Sequence, residues 1–211
     1  MASEPIIGIP NSHDLDVAGA VAHATMLLHK LSPKLTYHNY AHTVEEVVGA
    51  ADRLAAAERV GNAERALLHT AAYFHDLGFL ETWRGHEAVS ARIAGESLPH
   101  FGYAPVQIEC VQALIMATQL PNHPTTLLEC IIADADLDTL GRDDFWTRNR
   151  ALRDELVYFG VTYTDKAWYE HQVEFIGGHR YRTASARALR DHRKAGYLTE
   201  IKARLAALQP D

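Results

Sequence analysis

Apolar residues recur at helical period along nearly the whole chain, and no run of alternating β-branched residues bounded by turns reads as a strand. The pattern predicts an all-α fold, a single-domain helical bundle. Helices are expected near residues 14–31, 43–60, 63–76, 87–98, 105–118, 126–140, 143–159, 165–176 and 184–207, the last broken at Gly196. Thr43 followed by Glu46 fits a capping box, and Gly61, Gly78, Gly141 and Gly160 follow apolar runs as C-terminal stops would.

The 211 residues suffice to bury a core without disulfides or a structural metal. Residues 1–13 are expected to form a flexible N-terminal segment and residues 14–208 the helical domain. Hydrophobic residues make up 47% and charged residues 22%, which argues against disorder and fibrous repeats. A formal charge of −7 argues against extended nucleic acid as a partner, since such binding needs cationic side chains on phosphates. No window approaches the roughly 20 apolar residues of a membrane span, and residues 1–16 lack a cationic leader, so a cytoplasmic protein with no membrane partner is expected. Cys110 and Cys130 lie in apolar helical stretches and read as core fillers.

Thirteen histidines are many, but position matters more than number. His75 lies seven, four and three residues beyond Leu68, Ala71 and Ala72, so it should face the core, with Asp76 directly after it. A hydrogen-bonded His-Asp pair is the simpler account of two such residues alone; a second buried acid favours a cation. Asp134 lies three residues after Ile131 on the apolar face and is read as that inward acid. Asp136 shares the side of Glu129 and is read as a solvated helix end, and Asp138 as a group that could support the ligands. In Tyr37-His38-Asn39-Tyr40-Ala41-His42 the two histidines share a helical face pointing away from Val44, Val47, Val48 and Ala51, which either solvent exposure or a site would explain. His86 precedes Val89, Ser90 and Ile93 at three, four and seven residues and should also face inward.

The segments "YHNYAH", "FHDLGF" and "DADLDTLG", with "HEAVSARIA" between the last two, resemble the HD-domain superfamily in their order His…His-Asp…Asp. The resemblance implies an all-helical fold with a divalent metal on His42, His75, Asp76 and Asp134, serving phosphoester hydrolysis by metal-bound water. Two imidazoles and two carboxylates suit manganese, iron or magnesium, with zinc a further candidate. His38 matches the first histidine of the "YHNxxH" element of cyclic-nucleotide phosphodiesterases, where it donates a proton to the leaving oxygen. His86 corresponds to a second-metal ligand in the two-metal branches. Here Ala117 and Thr118 stand where its partner histidine would be, so His86 is assigned to phosphate contact or a weak second ion, with a hydrogen-bonded core histidine as the plainer alternative.

The expected function is therefore hydrolysis of a phosphomonoester or phosphodiester, of a nucleotide or cyclic nucleotide, with a small phosphorylated molecule as the partner. A non-catalytic metal- or nucleotide-binding module and a di-iron oxygenase are the alternatives. The first would be favoured by a damaged ligand set and the second by further ligands.

Overall fold

A computed structural model describes residues 15–208; the expected segment 1–13 lies outside these residues. Among the described residues nine α-helices form: α1 (Val17–Leu28), α2 (Val48–Ala57), α3 (Asn62–Phe74), α4 (His86–Ser97), α5 (Pro105–Met116), α6 (Leu127–Asp136), α7 (Phe145–Tyr158), α8 (Asp165–Gly178) and α9 (Ala184–Ala207). A π-helical turn, Ala41–Val47, runs directly into α2, and short 3₁₀ turns occupy Leu77–Leu80, Leu98–Phe101 and Asp138–Gly141. There is no strand among the described residues, and no described helix is long and apolar enough to cross a membrane.

The core is built around α3, which packs on α1, α2, α5 and α6 and buries Leu67, Leu68, Ala71, Ala72 and Phe74. Its neighbours present stripes at helical spacing: Ala20, Ala24 and Leu28 from α1, and Ala51, Leu54 and Ala55 from α2. One buried cluster extends from Ala20 to Ile201, so α8 and α9 close onto the same core.

Several local expectations change. Thr43 lies inside the π turn with its hydroxyl unpartnered, so it is no cap; Thr126 and Glu129 form the real capping box. Of the glycines expected as stops, Gly160 alone takes a positive φ, 79°. Gly78 serves close approach instead, because a Cβ there would lie 1.9 Å from the His86 carbonyl oxygen. Gly141 does the same against Arg190. Helix α9 runs through Gly196 without a break. The expected helix over 126–140 ends at Asp136 and tightens into the 3₁₀ turn.

Candidate metal centre

His75 is the C-cap of α3 and Asp76 starts the turn that follows. The π turn supplies His42, and its onset is fixed by Asn39, whose Oδ1 accepts from the His42 amide at 3.2 Å while its Nδ2 donates to the Leu35 and Thr36 carbonyls. Asn39 is thus a turn former. In an α-helix His42 would sit about 140° from Val47, five residues on. In a π-helix residues five apart are hydrogen-bonded and lie nearly in register, so His42 shares the inward side of Val47 and is buried with it.

His42, His75 and Asp76 each turn one donor atom into a common space, all three within 4.8 Å of one another. The His75 Nε2 lies 3.2 Å and the His42 Nε2 3.7 Å from Asp76 Oδ2. Asp136, expected at a solvated helix end, comes to the two imidazoles: its Oδ1 is 3.3 Å from His42 Nε2 and 3.4 Å from His75 Nε2. Asp134 is elsewhere. Its carboxylate accepts from the Arg182 amide at 2.7 Å and from the Thr183 amide and hydroxyl at 2.8 Å, tying down the α8–α9 connection. The structure does not bring Asp134, expected in the ligand set, to this cluster; Asp136 stands beside the imidazoles instead. The reason lies in α6: residues 131–135 are all buried, so burial does not single out one face, and the two-residue step from Asp134 to Asp136 turns the side chain about 200°. Asp138 does not support the ligands either; it is buried between Arg190, at 2.7 Å, and Arg53, at 3.0 Å.

Both ligand-type histidines are held through Nδ1. His75 Nδ1–H donates to the Ala72 carbonyl at 2.8 Å and His42 Nδ1–H to Glu46 Oε2 at 3.1 Å, which leaves each Nε2 lone pair facing inward. His75 Nε2 and Asp76 Oδ2 are fully buried without a hydrogen-bond partner, an arrangement costly unless a third species lies between them. Donor separations of 3.2–3.7 Å suit neighbouring ligands of one ion with bonds near about 2.0–2.2 Å. Two carboxylates and two neutral imidazoles also balance the charge of a divalent cation. The residues present therefore fit such an ion.

Without a cation, protons take its place. Burial alone would lower His42, but its hydrogen bonds to Asp136 and Glu46 raise it above the ordinary histidine value. For His75 burial is likewise outweighed, chiefly by the charge of Asp76, and the shift upward is large. Burial would raise Asp76 and Asp136, yet the adjacent histidines hold both below the usual carboxylate range.

His38 and His86 stand at the mouth. Their side chains are 21% and 17% exposed and that of Asp136 20%, against 1–2% for His42, His75 and Asp76, so solvent reaches the cluster from this side. Phe79 packs against both rings, 4.5 Å from His38 and 4.1 Å from His86 between centroids. His86 Nε2 is 3.4 Å from Asp76 Oδ1 while its Nδ1 meets the Trp83 carbonyl at 3.1 Å. Burial would lower His86, but Asp76 and Glu87 raise it overall. His38 Nδ1 bonds Glu155 Oε1 at 2.5 Å, and Glu155 Oε2 accepts from the Tyr37 and His38 amides at 2.7 and 2.9 Å. Burial would raise the Glu155 carboxyl, but these bonds from His38 and the amides hold it below its ordinary value. Glu155 was not singled out in the sequence, because nothing local marks a glutamate that is 117 residues from its histidine in the chain. On α5, Ala117 is the C-cap and the Thr118 hydroxyl donates to the Ile115 carbonyl, so neither faces His86 as a ligand. A surface groove of about 670 Å³ lies between α4 and α5 and contains none of these residues.

No protein-family model and no curated protein matches the chain. Solved structures do. A predicted HD superfamily hydrolase from an uncultured Thermotogales bacterium aligns with a TM-score of 0.58 at 18% identity, over 92% of each chain. A protein from Lactobacillus plantarum aligns with a TM-score of 0.66 at 19% identity, over 90% of this chain and 97% of that one. At such identities the likeness is one of fold, and it extends over nearly the full length of both proteins.

Proposed function

We propose that this protein is a metal-dependent phosphohydrolase of the HD superfamily, with His42, His75, Asp76 and Asp136 as metal ligands and His38 and His86 as the groups that meet the substrate. The observation that carries the reading is the buried, unpartnered pair His75 Nε2 and Asp76 Oδ2, completed by His42 and Asp136. Fold likeness to a predicted HD superfamily hydrolase supports it.

A divalent ion bound there would supply a water of lowered pKa and a Lewis acid for a phosphoryl oxygen. The chain's own residues do the rest. His42 and His75 are locked as Nε2 donors by Glu46 and the Ala72 carbonyl. Glu155 takes the Nδ1 side of His38, which leaves Nε2 as the nitrogen that exchanges a proton with the leaving oxygen, and balances charge on the ring as that proton moves. His86, with its Nε2 directed into the cluster and a raised pKa, is placed to contact a phosphoryl oxygen. The expected substrate is a small phosphoester of a nucleotide or cyclic nucleotide.

The test is metal analysis of the purified protein followed by product analysis with cyclic nucleotides, nucleoside monophosphates and a plain aryl phosphate. Each is assayed with Mn²⁺, Fe²⁺, Mg²⁺ or Zn²⁺ and after chelation. Ester cleavage that disappears on chelation and returns with metal is the expected result. Tight metal binding with no cleavage of any of these esters would favour a binding module.

A further inference from the structure

Arg148, Ala151 and Glu155 lie three and seven residues apart on α7 and therefore share a face, and all three meet the segment that carries His38 and His42. The Thr36 hydroxyl donates to the Ala151 carbonyl at 2.7 Å. Arg148 Nη2 donates to the Tyr37 carbonyl at 2.8 Å, and its guanidinium lies 4.5 Å from the Tyr37 ring centroid. Its Nε is 3.2 Å from Glu46 Oε1 in an ion pair without hydrogen-bond geometry, while Arg142 Nη2 donates to the same oxygen at 3.5 Å. Glu46 is thus engaged at both oxygens: Oε1 faces the charges of two arginines and Oε2 accepts from His42 Nδ1.

We infer that Glu46 is a positioning residue for His42 and that Arg148 acts through it, so that α7 sets the orientation of the first metal ligand. The inference rests on the proposed metal site. A histidine offers a lone pair at Nε2 only if Nδ1 carries the proton, and the ring keeps that orientation only while Nδ1–H has a fixed acceptor. Glu46 is that acceptor. A carboxylate on a flexible two-carbon stem would swing unless its other oxygen were anchored, and Arg148 anchors it from a helix that brings no ligand of its own.

The experiment measures Mn²⁺ and Zn²⁺ affinity of the full chain by competition with a chelator, alongside the melting temperature of each metal-free preparation. Glu46→Ala should weaken binding about 10- to 100-fold, the range usual for loss of a histidine's orienting partner. Glu46→Gln keeps an acceptor oxygen and should lose less than about 10-fold by the same reasoning. Arg148→Ala should weaken binding by itself but add nothing in the Glu46→Ala background, because two residues acting in series are not additive. Unchanged affinity in Glu46→Ala, or additive losses in the double variant, would overturn the inference and leave the network as a brace for the π turn, visible only in melting temperature. Should Glu46→Ala fail to fold, Glu46→Gln and Arg148→Ala carry the comparison, and unchanged affinity in both overturns it equally. Failure of the metal reading is distinct: the unmodified protein would bind neither ion, and the inference would fall with it.

Discussion

Asp134 takes three hydrogen bonds from the connection between α8 and α9, whereas Asp136, two residues on, faces the imidazoles of His42 and His75. The two should therefore fail differently. Asp136→Asn is expected to lose bound metal and turnover with the fold retained. Asp134→Asn is expected to keep metal but cost about 3 kcal/mol of stability, since charge-assisted hydrogen bonds to a buried carboxylate are lost. Metal content and denaturant melts on both variants check this, and metal loss in Asp134→Asn alone would reverse the assignment. Gly78→Ala offers a second check, because the added methyl collides with the His86 carbonyl and would push the start of α4 away from Asp76. Turnover should fall while most metal is retained; unchanged turnover would place His86 outside the reaction. Inward placement of His75 and His86 could be read from helical spacing, with Asp76 following as the neighbour of His75. The choice between Asp134 and Asp136 could not, because both acids sit on a helix enclosed by other elements.

Among the elements, α7 contributes no ligand yet presents Glu155 to His38 and Arg148 to Glu46. Glu155→Gln leaves one acceptor oxygen for three donors. It should lower turnover about 100-fold, the low end for impaired proton transfer, with metal content unchanged. Assay of turnover and metal on one preparation decides, and full turnover would remove His38 from proton transfer. The helix positions of α7 were legible as an apolar period, but its partners were not: a glutamate and an arginine on a mostly polar helix carry no signal until the fold brings them to residues more than 100 positions away. The π turn was equally hidden, since α-periodicity pointed His42 away from the core that Val47 enters.

For the molecule as a whole, the buried cluster makes stability depend on what occupies it. In the metal-free protein the raised pKa of His75 contributes stability that is present below its ordinary 6.5 and fades as pH rises through the higher folded value. The lowered pKa of Asp76 contributes above its ordinary 3.8 and is lost as pH falls further. Metal-free stability from this cluster should therefore peak between 3.8 and 6.5 and decline on the alkaline side. Metal should act in the opposite sense, binding better as protons leave. At 100 times its dissociation constant an ion adds about 2.7 kcal/mol, or roughly 5–10 °C for a chain of this size. Melting curves with and without chelator across pH 5–9 would show the gap widening with pH; a constant gap would detach the ion from these ligands.

The π turn at Ala41–Val47 amounts to one residue more than an α-helix would place in the same turn. Such a turn holds its extra backbone only because the count of residues between Tyr40 and α2 demands it. Removing the exposed Glu45 would let the helix relax to ordinary winding. Four steps of α-helix turn through about 400°, so His42 and Val47, then four residues apart, would still share the inward side and His42 would still face the cluster. A homologous chain one residue shorter here would present the same histidine from an ordinary α-helix, four residues rather than five before the valine.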